Sequence, residues 1–448
     1  MSTLHDRLSD IADQASGGTA RDARTDELWR RGRRYGMRRR AGAVVFAVAA
    51  SVALGAGAAA LGPTRPAAVQ PADRQAELRL PDRLYHPDPW TAGTSDTGPV
   101  GPVVAVLGAP RASWGELGEH GGLAAVTSSG EYAFLDLDDR VGDIASPSPD
   151  GRYVAYWFTD GRDALDVGDG TPAAAGIAVL DTITGDTVRH PVDAPLGLMT
   201  EDVTWTGERL WVPVWAYDQR TATDDTASAS SALESVLVLD PSTGETLEQD
   251  PRGLADLGEA TAVGDRVVLL RQDRVVLVDA SGERETAARL EGRLDGPAVL
   301  DPTGTRIALL RNTDRRGDSN RAEPLLVGAL QADLARPVSF QELPGPRVDR
   351  VVAWRSPEQV VTVRYDDAGA VYESVDVVTG ERRELLRPPS EGWDPPEQVA
   401  RDALSAPTYD AAPPPSGHDP RLVLGAGIGL AVALTILGTV LVRRRVRA

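Results

Sequence analysis

The chain has 448 residues, a net charge of −19 at neutral pH and no cysteine, so disulfide frameworks and thiolate metal sites are excluded. Its basic side chains are all arginine and concentrate at the two ends. Residues 1–40 hold ten against six acids and 421–448 hold five against none, which leaves 41–420 with 32 basic and 60 acidic residues. A central region this acidic repels phosphate and argues against nucleic acid as a partner.

Residues 1–40 read as a short cytoplasmic tail. Leu4, Leu8, Ile11 and Ala15 recur at helical spacing behind Ser2 and Thr3, which suit an N-cap, and Thr25 suits a second cap before Leu28 and Trp29. Helices this short are weak alone in water, so the segment either lies near a membrane or docks on a cytoplasmic protein. The dense run that ends in Arg38, Arg39 and Arg40 stands directly before an apolar stretch, where basic residues mark the cytoplasmic side and touch anionic lipid.

Residues 41–62 are uncharged and just long enough to cross a bilayer. Ala58-Ala59-Ala60 has the form of a signal-peptidase site, but the long segment ahead of it favours an uncleaved anchor. Residues 63–97 and 388–420 are Pro-rich, with little periodicity, and read as extended tethers on either side of a domain at 98–387. Residues 421–442 form a second apolar span, followed by a basic tail at 443–448 that includes Arg443, Arg444 and Arg445. Basic clusters at the outer ends of both spans place both termini in the cytoplasm and the domain between them on the extracytoplasmic side.

Within 98–387 the signal is repetition. Ser148-Pro149-Asp150-Gly151 precedes Tyr153 to Phe158, a run too short and too rich in aromatic and β-branched residues for a soluble helix; it reads as a buried strand. A second strand, Ile177 to Asp181, leads through Thr184-Gly185 into a polar outer one. Asp301-Pro302-Thr303-Gly304 before Ile307 to Leu310 repeats the first half. Asp240 with Thr243-Gly244, Asp279 with Ser281-Gly282 and Asp376 with Thr379-Gly380 repeat the second. Val103 to Leu107, Leu123 to Val126 and Tyr132 to Leu137 supply a less regular first unit. Four strands per repeat, at about 40 to 57 residues with no helical period, select an all-β propeller of about six blades. Five or seven blades are also compatible, and a β-sandwich is the competing arrangement.

The Ser-Pro-Asp-Gly turn, the Tyr-Val-Ala-Tyr strand and the Asp-x-x-Thr-Gly hairpin resemble TolB-type and WD-like propeller repeats. The Trp-Asp dipeptide of WD repeats is missing from the blades; Trp393-Asp394 lies beyond them. The Arg-rich segment before the first span resembles actinobacterial membrane proteins associated with extracytoplasmic-function sigma factors, without the Cys and His pattern of their zinc-containing domains. Both resemblances imply binding rather than chemistry.

In a four-stranded blade the first and third turns share one face, and the remaining connections share the other. The first set is short here. The second contains insertions at 159–175, 217–233 and 312–323, which carry Asp160, Asp163, Asp166, Asp169, Asp218, Asp224, Asp225, Asp314, Asp318 and Glu323; Asp366 and Asp367 join the same face. Variable loops gathered on one face of a repeat fold form the usual binding surface. An acidic one suits a cationic ligand, a basic partner surface or a divalent cation, although no loop has the spacing of a calcium-binding EF-hand. The alternative is solvated loops that keep the domain soluble. His5, His86, His120, His190 and His418 are scattered, and no nucleophile elbow, phosphate loop or paired-His metal motif occurs. The sequence therefore points to a membrane-anchored, extracytoplasmic module for a protein or cell-envelope ligand, with a cytoplasmic partner such as a sigma factor at its tail. It needs no cofactor and is not an enzyme. An envelope scaffold without signalling is the alternative, and an extracytoplasmic hydrolase the third reading.

Overall fold

A computed structural model describes residues 77–448 apart from 115–117, 162–171, 224–225, 256, 258–259, 272, 292–293, 295–296, 312–322, 332–333, 335, 346, 390–398, 417–418 and 448. The chain divides into two compact units, Pro66–Gly417 and a second that contains the C-terminal helix.

The first unit is a ring of six antiparallel blades, each wound in chain order from the axis outward. Blade 1 is Val103–Ala112, Glu119–Thr127 and Tyr132–Phe134; blade 2 is Arg140–Pro147, Tyr153–Phe158, Gly176–Asp181 and Thr187–Pro191. Blade 3 is Thr204–Thr206, Arg209–Thr223, Thr226–Leu239 and Thr246–Gln249, and blade 4 is Thr261–Val263, Arg266–Arg271, Arg274–Val278 and Arg284–Arg289. Blade 5 is Val299–Leu300, Arg306–Leu310, Leu325–Ala329 and Phe340–Glu342; blade 6 is Arg350–Ser356, Gln359–Asp366, Gly369–Asp376 and Arg382–Leu386. Middle strands such as Tyr153–Phe158 are buried throughout, while outer ones such as Thr187–Pro191 are mostly exposed. Uninterrupted apolar runs therefore belong between blades, and polar, charged runs belong at the rim.

The core is divided among the blade interfaces. Val103, Tyr156 and Leu180 belong to the cluster between blades 1 and 2, Trp157 and Val212 to that between 2 and 3, and Trp211 and Val267 to that between 3 and 4. Leu277 and Ile307 join blades 4 and 5, and Val299 and Trp354 join 5 and 6. Indole nitrogens stitch neighbouring blades: Trp157 donates to Glu201 O (2.9 Å), Trp205 to Ser146 O (3.2 Å) and Trp354 to Val299 O (3.0 Å). A buried indole brings a large apolar area with a single donor, and each of these donors meets a carbonyl.

The repeated turns are built on carboxylates and hydroxyls. Ser148 Oγ donates to Asp150 Oδ1 (2.6 Å) and accepts from Tyr153 N (2.9 Å). In blade 5 the buried Asp301 carboxylate accepts from Thr305 N and Arg306 N, both at 2.7 Å. Burial alone would raise the Asp301 pKa; hydrogen bonds from Thr303, Arg306 and Thr305 outweigh it, and the net shift is downward. A lowered folded-state pKa gives stability that is present above the unfolded-state value, about 3.9, and is lost as pH falls through the folded-state value. Asp301→Asn should cost about 1–2 kcal/mol near neutral pH. It should also flatten the acid limb of stability in denaturant titrations between about pH 2 and 7.

The sixth interface, between blades 6 and 1, is closed by the two segments that flank the blades. Blade 1 has three strands of its own, and Val399 bridges antiparallel to Ala105 in the innermost position. Ala400 N donates to Val104 O (2.9 Å), and the 3₁₀ turn Arg401–Ser405 follows. Leu80–Pro81 pairs in parallel with Thr408–Tyr409. Leu80, Leu84, Val399, Ala403 and Leu404 are buried in one cluster with Leu107 of blade 1 and Val361 and Tyr372 of blade 6. Parts of the two expected tethers thus belong to the packed body: a few well-spaced apolar side chains suffice to fill a seam that both blades leave open.

The insertion expected at 217–233 is also regular structure. The second and third strands of blade 3 continue as a paired ribbon from Tyr217↔Ser231 to Thr223↔Thr226. In the second unit, helix Pro420–Arg447 contains a 21-residue stretch, Gly425–Arg445, of mean hydropathy 2.2, long and apolar enough to cross a membrane. Arg443, Arg444 and Arg445 lie near its C-terminal end. The span expected at 41–62 and the cluster Arg38, Arg39 and Arg40 lie outside the described residues.

Candidate functional site

Antiparallel order fixes two faces on the ring. On one lie the first and third turns of each blade, including Ser148–Gly151, Thr182–Asp186, Gly264–Asp265 and Val377–Glu381. These turns are held by their own aspartates. Asp181 Oδ1 accepts from Ile183 N (2.8 Å), Asp240 Oδ1 from Ser242 N (2.9 Å), Asp279 Oδ1 from Ser281 N (2.9 Å) and Asp376 Oδ1 from Thr379 N (2.7 Å). Each aspartate mimics a turn of backbone, which explains the recurring Asp-x-x-Thr-Gly as a folding device. The Asp376 pKa is lowered, chiefly by hydrogen bonds from Thr379 and Val378, and that of Asp240 first by the Ser242 hydroxyl.

The opposite face carries the long connections of blades 2, 3 and 5. Asp160 is exposed at the start of the blade 2 connection; Asp163, Asp166 and Asp169 within it lie outside the described residues. Asp218 falls on the blade 3 ribbon; Asp224, Asp225, Asp314 and Asp318 lie outside the described residues. Glu323 is buried at the end of that connection, where its backbone bridges to Val348.

Asp366 and Asp367 separate sharply. Asp367 is exposed. Asp366 accepts from Ala368 N (2.9 Å) and forms ion pairs with Arg387 (3.2 Å) and Arg364 (3.9 Å). The Ala368 amide, then the Arg387 guanidinium, hold its pKa below the usual carboxylate range. Arg364 also meets Glu373 (3.0 Å), Glu373 meets Arg382 (3.0 Å) and Arg387 meets Glu384 (2.9 Å), a chain of charge across the outer part of blade 6. Asp366 is therefore engaged in holding blade 6, and Asp367 is the one of the pair that faces solvent.

Beside Asp366 lies a cavity of about 350 Å³, lined by Arg83, Tyr85, His86, Ala368, Arg387 and Pro388 among others. His86 Nδ1 is shielded there without a hydrogen-bond partner. Residue-by-residue reading missed this place, because 83–86 looked like tether and only the seam brings it against blade 6. Among the described residues no group of three His, Asp or Glu side chains is placed to hold a metal ion. His120 is exposed on blade 1. His190, its pKa lowered by burial, lies on the outermost strand of blade 2, and His86 lies at the seam. The three described histidines thus do not converge.

No protein-family model and no curated protein matches the chain. Among solved structures it is similar to TolB from Acinetobacter baumannii, at 14% identity over 67% of each chain and a TM-score of 0.37. Similar too are a Porphyromonas gingivalis dipeptidyl peptidase 4 (11% identity, 61% of this chain and 43% of that one, TM-score 0.33) and an uncharacterized Listeria monocytogenes protein (10%, 68% and 88%, 0.36). The likeness is one of fold. This chain spans less than half the length of the peptidase, and the six blades stand on their own strand pairing.

Proposed function

We propose that the chain is a membrane-anchored binding and sensing module. Its propeller lies on the extracytoplasmic side and takes a protein or cell-envelope ligand of basic character on the face with the long connections. The Arg-rich N-terminal tail presents the result to a cytoplasmic partner such as a sigma factor. The observation that carries this reading is the asymmetry of the ring: one face is made of short turns whose aspartates hold the backbone, and the longer connections of blades 2, 3 and 5, whose sequences are rich in acidic residues, leave from strand ends on the other. Fold alone does not choose a function; long, charged connections on one side of a packed scaffold support this one.

The absence of native cysteine makes the topology directly testable. Single cysteines at Ser16 and Ser228 should give labelling by a membrane-impermeant maleimide in intact cells at 228 and protection at 16. Protection at both, with labelling after lysis, ends the extracytoplasmic reading. For the ligand class, a lysine-rich peptide is titrated against the full-length chain in detergent. Replacing Asp160, Asp163, Asp166 and Asp169 together by Asn should weaken binding at least about fivefold at low salt, with the difference shrinking at high salt. Equal affinity for the variant would remove the acidic face as the site. Deleting residues 2–24 should abolish the response if the protein signals and leave it intact if it is a scaffold.

A further inference from the structure

The segment that closes the ring also crosses the end of the central channel on the short-turn face. Asp402 N donates to Pro149 O in blade 2 (3.0 Å), and Arg355 Nη2, on the innermost strand of blade 6, donates to Ala406 O (2.9 Å). Between these contacts, Arg401 Nη1 donates to Ala262 O on the innermost strand of blade 4 (2.9 Å). Arg401 follows directly on Val399 and Ala400 in blade 1. Blades 1 and 4 stand opposite each other in a ring of six, so this side chain reaches across the axis.

The guanidinium carries five N–H donors in a planar fork. Its hydrogen bond goes to one carbonyl, and among the described residues no carboxylate is ion-paired with it. Arg152, Arg266, Arg364, Arg382 and Arg387 are all paired with acids. Burial draws the Arg401 pKa down, and neighbouring Asp402 offsets this only in part. A shielded charge that no carboxylate hydrogen-bonds is costly, and shielded charges in proteins are ordinarily paired.

We propose that Arg401 is an anion site at the short-turn end of the channel, and that it takes the carboxylate of a ligand such as a peptide C-terminus. A planar carboxylate matches the fork bidentately. A monoanion is favoured over phosphate because Asp402 stands beside Arg401; burial raises the Asp402 pKa against the pull of Arg401, and Asp150 adds to the rise. The site lies on the face opposite the acidic connections and does not depend on the reading given to them. Because Arg401 belongs to the closing segment, a ligand bound there also stabilises the closed ring, by linkage.

The test uses the full-length chain in detergent and an N-acetylated tri-alanine peptide with either a free or an amidated C-terminus. Thermal midpoint and calorimetric binding are read at matched ionic strength, with sodium chloride and sodium phosphate as the other arms. The free acid should raise the midpoint and bind at least about tenfold more tightly than the amide. Arg401→Gln should abolish that difference, and Arg355→Gln should retain it. If Arg401→Gln does not fold, Arg401→Lys carries the test: it keeps the charge, loses the fork and should weaken the free acid several-fold. Equal binding of acid and amide, or a preference for the acid that survives unchanged in Arg401→Gln or Arg401→Lys, overturns the site. Tighter binding of phosphate than of the acid overturns the carboxylate assignment.

Discussion

Gly151→Ala should destabilise the full-length chain by about 3 kcal/mol or more, whereas Gly264→Ala, in the equivalent turn of blade 4, should cost only about 1 kcal/mol. Both glycines have positive φ, +70° and +58°, so both substitutions carry the strain that a Cβ brings in the left-handed region. Their surroundings differ. A Cβ on Gly264 would meet nothing within 4 Å, while one on Gly151 would fall well inside the 3.0 Å that real Cβ atoms respect, against the backbone of Val103. Val103 N donates to Gly151 O (2.8 Å), and Thr182 Oγ1 donates to the same oxygen (3.2 Å), so the turn of blade 2 is docked on the strand Val103–Ala112 of blade 1. Relief would require moving backbone, which neither blade can do without opening the interface that holds Tyr156 and Leu180. Urea unfolding of the two variants in the same detergent decides the matter: equal losses would show that φ alone sets the cost and that the close approach of the blades is unimportant.

The blades were legible because their signals are local. Ser148 to Gly151 and Asp301 to Gly304 announce a turn, and the apolar runs after them announce a strand buried on both faces. Repetition of that pair settles the architecture. The blade 3 ribbon was not legible: Thr221, Ala222, Thr223, Thr226, Ala227 and Ser228 form no apolar stripe, and the strand pairing simply propagates outward from the blade. Nor was the seam. Leu80 pairs with Thr408, more than 300 residues away, and Val399 enters blade 1 next to Ala105. Contacts of that separation leave no periodic trace, and the Pro-rich composition around them reads as linker.

The candidate site divides along the same line. That several connections on one side of the blades carry acidic residues was readable from repeat topology as an expectation. Whether a given carboxylate is available was not: Asp366 and Asp367 are adjacent in sequence, yet one is held by Arg387 and the Ala368 amide while the other faces water. Arg401 shows the converse. It appears as one charge in a polar stretch, and its position at the axis depends on Ala262, 139 residues earlier.

The seam supplies the second large effect. Leu404→Ala should cost about 2–4 kcal/mol, comparable to Leu309→Ala between blades 4 and 5, since both side chains are fully buried. The two losses should nevertheless differ in kind. Blades 4 and 5 are joined by continuous chain, so a cavity at Leu309 weakens the ring as a whole. Blades 6 and 1 are held by the closing segments through Leu80, Leu84, Ala403 and Leu404 and by the short pairing of 80–81 with 408–409. A cavity there should favour partial opening of the seam before global unfolding. Hydrogen exchange should register this at Leu80 N–H, bonded to Pro407 O (3.0 Å), and at Ala400 N–H, bonded to Val104 O (2.9 Å). Both amides should exchange faster in Leu404→Ala than its global stability requires, and in step with global stability in Leu309→Ala. Leu80→Ala combined with Leu404→Ala should fall short of additivity by at least about 0.5 kcal/mol, because the first loss already loosens what the second would weaken. Uniform exchange in both variants with strict additivity would mean that the ring opens only as a unit, and that its seam is no weaker a joint than its covalent ones.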